Sequence, residues 1–305
     1  MNVYYLGSAL NLSSLYMIAG SGALISIKSG DFNLGGEGQI YLGGFVSAVI
    51  LAALANEGVL ANPGIPAALA LQLPVTAAAV SSALLAALSA VLKILRNADF
   101  LFTSFIASAA IIPFIDGLIS GPARSKTDNL LATAFIPEAA RLPSILEPSP
   151  LNASFIFALA LCVAAWLLLF RTGWGRQLCI LGTSPEFSRF AGFECKKLTL
   201  SSALLSGALH GLTGAVAILG TYFTCHQGFY AGMGWNALSS ALIAGANPLA
   251  LIPAAGLMGF MTTYANRYAL FHNFGFDISS LIQAVILFAI AFPAHLPRSF
   301  RRSGK

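Results

Sequence analysis

Between two long apolar runs, at Gly30-Asp31-Phe32-Asn33-Leu34-Gly35-Gly36-Glu37-Gly38-Gln39, the chain places two carboxylates, two amides and four glycines. Ionisable side chains and irregular backbone are costly at bilayer depth. They persist where protein or a water-filled path surrounds them. The segment therefore points to a chain that threads a membrane several times and keeps a polar route through it.

The rest of the chain agrees. Charged residues make up only 9% of the 305 and hydrophobic ones 57%, with a mean hydropathy of +0.80. Soluble domains carry about 25% charged residues, so too little polar surface is present to cover a water-exposed fold. Apolar runs of spanning length lie near 4–27, 35–55, 66–92, 98–119, 152–170, 200–223, 249–266 and 277–296. A further apolar piece, 235–246, is too short to cross. Gly228, Gly232 and Gly234 precede it and Gly245-Ala246-Asn247-Pro248 follows, which is the profile of a discontinuous helix. The expected class is all-α and polytopic, a single transmembrane domain over 1–305 with about nine or ten transmembrane helices. No loop is long enough for a soluble catalytic domain.

Basic residues set the orientation. If 171–199 faces the cytoplasm, that side collects Lys28, Lys93, Arg96, Arg171, Arg176, Arg189, Lys196, Lys197, Arg298, Arg301, Arg302 and Lys305. Arg124, Lys126, Arg141 and Arg267 stay outside. This bias puts the C-terminus inside and, with nine crossings, the N-terminus outside. Tyr4 to Ile27 has no basic leader and no small-residue cleavage site, and reads as a mature span. The proline-rich loop 120–150, with Asp128, Glu138 and Glu147, reads as an external cap. The basic residues are scattered over short loops, which argues against nucleic-acid binding. Cys162, Cys179, Cys195 and Cys225 have no metal-ligand spacing and imply no disulfide framework. His210, His226, His272 and His295 form no ligand cluster, so no metal is expected.

The basic loop 171–199 has one dense set of helix signals. Thr183 or Ser184 can cap, Pro185 suits the first turn, Glu186 complements the N-terminal dipole and Gly192 ends the helix. Phe187, Phe190 and Ala191 share one face, an apolar knob on a wet loop. From pattern alone it either lies on the bilayer interface or fits a groove in a partner.

Four segments in order carry a family resemblance: Asp31 to Gln39, Gly182 to Gly192, Leu205-Ser206-Gly207-Ala208-Leu209-His210-Gly211-Leu212-Thr213-Gly214-Ala215, and Ala244-Gly245-Ala246-Asn247-Pro248. From about residue 6 to 295 the chain resembles permease subunits of bacterial ABC importers, in the branched-chain amino acid, simple sugar and nucleoside permease superfamily. Its nearest branch looks like the nucleoside-type and sugar-type permeases, whose relatives include riboflavin importers. The resemblance implies a type II importer-like fold in the bacterial cytoplasmic (inner) membrane. It also implies a second permease subunit, identical or paralogous, two cytoplasmic ATPases and an external substrate-binding lipoprotein. ATP and Mg would be used by the ATPase partner, since no GxxxxGK[ST] loop occurs here. Residues 183–191 then resemble the coupling helix, with Thr183, Ser184, Pro185, Glu186, Phe187, Arg189, Phe190, Ala191 and Gly192 as its contact set. The chain departs from the family pattern at Gly36 and His210.

Phe32, Asn33, Glu37, Gln39, His210 and Asn236 are the candidate pathway residues. Each has a structural alternative: Asn33 as a cap, Glu37 as a first-turn acid on the next helix, and His210 as glue in the small-residue stripe Gly207, Gly211 and Gly214. Tyr222, His226, Phe229, Tyr230 and Trp235 read as interfacial anchors. A nucleoside is the favoured solute, with riboflavin or a simple sugar next. An intramembrane enzyme would need a clustered acid pair or Ser/His couple, and Glu37, Asp116 and His210 sit on separate spans. A self-contained channel or secondary transporter would favour an internal inverted repeat, and none is evident.

Overall fold

The structure, a computed structural model, describes residues 3–57, 67–125 and 129–272, with the isolated positions 281, 284, 285 and 288. Apart from those positions the expected span at 277–296 lies outside the described residues, as do Lys126, Asp128, His295 and the basic tail.

The chain forms helices because its apolar runs have no other way to satisfy their backbone in lipid. In order they are α1 (Val3–Lys28), α2 (Gly36–Asn56), α3 (Ala67–Arg96), α4 (Phe100–Ser120), α5 (Ser154–Arg171), α6 (Gly173–Thr183), α7 (Pro185–Phe190), α8 (Cys195–Ala217), α9 (Met233–Ile243) and α10 (Pro248–Phe271). A π-helical turn, Ile218–Tyr222, extends α8. Seven helices among the described residues are long and apolar enough to cross a membrane: α1 to α5, α8 with its extension, and α10. No strand occurs among the described residues, only two isolated bridges.

α1 is the central post. Along its middle and C-terminal half almost every side chain is buried, and α5, α8, α9 and α10 pack around it. α8 is nearly as enclosed, wedged against α2 and α3. That wedge depends on missing side chains. A Cβ on Gly211 would lie 2.3 Å from the Ala78 carbonyl, and one on Gly214 would lie 2.0 Å from the Ile40 carbonyl. The small stripe expected from the sequence thus brings α8 into backbone contact with both neighbours. Lipid-facing bulk sits elsewhere, on Leu84, Leu88, Phe102, Ile106 and Phe114 of α3 and α4.

The two ends of the bundle differ. At one end Lys28, Lys93 and Arg171 gather; Lys28 Nζ stands 5.7 Å from the Phe170 ring and Lys93 pairs with Asp31. At the other, the segment 129–153 is sewn to 219–227. The backbone N–H groups of Thr133, Ile136 and Leu142 donate to the carbonyls of Cys225, Phe223 and Leu219. Asn152 Nδ2 reaches Asn11 and the Gly220 carbonyl.

The loop 171–199 holds two helices where the sequence shows signals for one. α6 starts because Thr172 Oγ1 accepts from the Gly175 N–H at 3.0 Å. Gly175 lets the turn fold back, since a Cβ there would sit 2.2 Å from the Leu168 carbonyl. With two glycines in its first three residues, Gly173-Trp174-Gly175, α6 opens on poor helix formers.

Candidate functional site

α9 has only 11 residues, about 16 Å of helix. It starts inside the protein rather than at a surface. Asn236, in its first turn, donates from Nδ2 to Tyr16 Oη at 3.1 Å, and Tyr16 is at the middle of the 26-residue α1. From there α9 runs toward the basic end, with the Ala237 carbonyl beside Gly20. The turn Gly245–Asn247 then reverses the chain, with Gly245 and Ala246 at positive φ and Asn247 capping α10 through the Leu249 N–H. The half-length helix expected at 235–246 is therefore present.

A helix that begins at mid-depth leaves N–H groups without partners. Its N-cap residue, Gly232, has no side chain to offer. Glu37, 197 residues earlier, supplies the acceptor: Oε1 takes the N–H groups of Gly234 at 2.8 Å and Trp235 at 3.2 Å. Glu37 also lies in the first turn of α2, so one carboxylate serves the positive ends of two helices. Their starts nearly touch. A Cβ on Gly234 would fall 2.6 Å from the Glu37 N and 2.9 Å from the Gly36 carbonyl carbon.

His210 completes this crossing. Its ring is 1% exposed, and Nε2 lies 3.2 Å from where a Gly36 Cβ would be. Gly36 and His210 are neighbours here, and the absent side chain makes room for the ring. His210 Nδ1 has no hydrogen-bond partner among the described residues.

The loop leading into α2 is held rigidly. Asn33 and Gln39 exchange amide hydrogen bonds at 2.9 and 3.1 Å, and Asn33 Nδ2 also donates to Ser206 Oγ at 3.0 Å. Asn33 Oδ1 accepts from the Gly35 N–H at 2.9 Å. Ser104 Oγ and Ser108 Oγ of α4 accept from the N–H groups of Leu34 and Gly38. Asn33 and Gln39 are both buried, whereas Phe32 between them and the basic end is 39% exposed. Burial raises the Asp31 carboxyl above its usual value, and Lys93 offsets only part of that rise.

Above the crossing, the aromatics Tyr222, His226, Phe229 and Tyr230 form one cluster around Tyr41 of α2. The Tyr41 and Tyr230 rings lie 4.4 Å apart, and the other neighbouring pairs are within 6.3 Å. Tyr41 Oη donates to Asp116 at 2.5 Å, and Gln227 Nε2 holds the Asp116 carbonyl at 3.0 Å. The sequence reads these rings as interfacial anchors around the glycine-rich turn and does not single out Tyr41. Only a contact across helices distant in sequence reveals the cluster.

The second candidate region is α7. Pro185 opens it, and Ser184 is the N-cap residue by backbone alone, with no side-chain capping bond. Gly192, at φ +76°, ends it with the Phe193 N–H reaching back to the Ser188 carbonyl. Ser188 is buried, while Thr183, Pro185, Glu186, Arg189, Ala191 and Gly192 are exposed and Ser184 half-buried. Phe187 is 57% and Phe190 93% exposed. No group of three His, Cys, Asp or Glu able to hold a metal occurs among the described residues, and the four cysteines are free.

A half-helix meeting a polar loop at mid-depth, inside a bundle of spans, is the anatomy of a membrane permease. The chain belongs to the family described as branched-chain amino acid transport system / permease component, which it matches over residues 5–291. It is thus a multi-pass membrane protein and a transport subunit. It is 33% identical over 302 residues to the probable riboflavin import permease protein RfuC of Treponema pallidum, covering 98% of this chain and 78% of that protein. The guanosine ABC transporter permease protein NupP of Bacillus subtilis is 26% identical over 295 residues, 95% and 81% of the two chains. The glucose ABC transporter permease protein TsgB13 of Haloferax volcanii is 30% identical over 287 residues, 90% and 73%. No solved structure matches.

Proposed function

We propose that this chain is a translocation subunit of an ATP-driven importer in the bacterial cytoplasmic membrane, carrying a neutral solute built from a flat heterocycle and a polyol, as in riboflavin or a nucleoside. The observation that carries the reading is the mid-depth start of α9 against Glu37, beneath the Tyr41 and Tyr230 rings. Solute arrives from an external binding lipoprotein and passes between this subunit and a second permease, identical or paralogous. Two cytoplasmic ATPases use ATP and magnesium to drive alternating access. The basic end and the C-terminus face the cytoplasm, and residues 183–191 dock into an ATPase.

In this reading Phe32 and Glu37 border the route, Asn33 and Gln39 set the loop, and His210 and Asn236 back the crossing. The names of the relatives support the solute class. The riboflavin-type relative shifts the preference from nucleoside alone to the shared heterocycle-polyol chemistry, and the glucose-type relative keeps a simple sugar as the second reading. The test is uptake of labelled solute by the complete complex in proteoliposomes, with riboflavin, guanosine and glucose competing in turn. Competition by riboflavin or guanosine is expected. Competition by glucose alone would select the sugar reading, and competition by none of the three would reject both.

A further inference from the structure

α6 and α1 end against each other, backbone on backbone. A Cβ on Gly182 would lie 2.3 Å from the Lys28 carbonyl oxygen, 2.8 Å from the Gly30 N and 2.9 Å from the Ser29 carbonyl carbon. Gly182 is the penultimate residue of α6, and α7 begins three residues on. Gly30 is at φ +81°. It closes α1 by the paired reach of its own N–H to the Ile27 carbonyl and of the Asp31 N–H to the Ser26 carbonyl. Ser26 Oγ also donates to the Asp31 carbonyl, and the Asp31 carboxylate pairs with Lys93 of α3.

Beyond Asp31 the chain has no slack. Asn33, Leu34, Gly35, Gly38 and Gln39 are each bonded to a neighbour in α2, α4 or α8 or to each other, and Glu37 caps α9. A displacement of α7 thus has a short covalent and hydrogen-bonded route to the crossing of α2 and α9. A cleft of about 630 Å³ beside the contact, lined by Ser29, Gly30, Lys93, Pro185 and Arg189 among others, leaves that side unpacked. The glycine contact joins α6 to the α1 turn, one turn from the buried cluster that Ile25 shares with Leu178 and Leu181.

We propose that the Gly30 and Gly182 contact is the joint that transmits movement of α7 to the α2 and α9 crossing, making Gly182 a positioning residue for transport. The inference rests on the reading of α7 as the ATPase-docking helix. Packed backbones move together, whereas an inserted methyl must separate them.

The test is Gly182→Ala in the complete complex, reading ATPase retention, ATP hydrolysis and solute uptake on the same preparation. Retained ATPase is expected, with the ATP hydrolysed per solute imported rising about tenfold. Unchanged coupling in an assembled Gly182→Ala complex overturns the proposal, as does a loss of uptake matched by an equal loss of hydrolysis. If Gly182→Ala does not assemble, the double variant Asp31→Asn/Lys93→Gln decides, because it loosens the same turn without touching the contact; normal coupling there also overturns the joint. Phe187→Ala/Phe190→Ala separates the two readings. Retained ATPase and normal uptake in that variant would remove the docking role of α7 and the joint with it, whereas lost retention beside a fully coupled Gly182→Ala would remove the joint alone.

Discussion

The α2 and α9 crossing and the α7 helix are built to opposite rules. At the crossing almost every polar group has a partner within the chain, down to the borrowed cap that Glu37 provides for α9. On α7 the two largest apolar side chains lie open, Phe187 57% and Phe190 93% exposed. A site deep in a membrane protein must satisfy its own backbone, since no solvent will do so. A short helix on an exposed loop is under no such constraint, and apolar surface left there is what the proposed ATPase contact would cover. The crossing should therefore respond to substitution through folding and conformation, and α7 through association.

The sharpest way to break this contrast is to fill the wedge that supports the crossing. Gly214→Val would set its Cβ 2.0 Å from the Ile40 carbonyl oxygen, in a contact that includes the Gly44 N at 2.5 Å. Both backbones belong to buried stretches of two spans, and valine adds two methyls beyond the clashing Cβ, so loss of the folded subunit is expected. Size-exclusion of the detergent-extracted protein checks this, and a monodisperse peak at wild-type yield would show that α8 and α2 are less tightly joined than their spacing implies.

Next in size is the pair Phe187→Ala/Phe190→Ala. Burying one phenylalanine is worth about 1.5–3 kcal/mol, so each loss weakens a docked interface by roughly ten- to a hundredfold. Thermal stability of the isolated subunit should stay within about 0.5 kcal/mol of wild type, because exposed side chains contribute little. Co-purification of the ATPase and a melting curve, taken together, test both halves of that expectation. A destabilised subunit with its ATPase still bound would reverse the assignment of α7.

The two regions also differ in how far sequence alone revealed them. α7 was legible because its signals are local: proline at its start, glycine at its end, two phenylalanines three apart. α9 was legible as a half-helix for the same reason, with glycines on both sides of a short apolar run. What covers its N-terminus was not, since Glu37 and Gly234 are 197 residues apart and no local spacing reports such a pair. The same holds for Tyr41, which is one apolar-looking residue of α2 until Asp116 and Tyr230 are placed beside it. α6 escaped for the reverse reason. Its local composition argues against a helix, and packing against α5 overrides it.

The smallest expected effects lie at Glu37 itself, and their order separates a cap from a charge. Glu37→Ala removes the acceptor and leaves the Gly234 and Trp235 N–H groups orphaned at mid-depth. An unsatisfied buried group costs about 1–3 kcal/mol, and that is the stability loss expected. Glu37→Gln keeps a carbonyl oxygen for those N–H groups and removes only the charge. Charge-assisted bonds are roughly twice as strong as neutral ones, so this variant should lose about half as much as the alanine one. Thermal unfolding of the three proteins in one detergent measures the series. Uptake then carries the functional part. If the carboxylate also borders the solute, Glu37→Gln should assemble with only that smaller loss of stability yet import several-fold more slowly. Wild-type uptake by Glu37→Gln with poor uptake by Glu37→Ala would leave Glu37 as the cap of α9 and nothing more. The polar solute contacts would then have to be sought at the Tyr41 and Asp116 cluster above it.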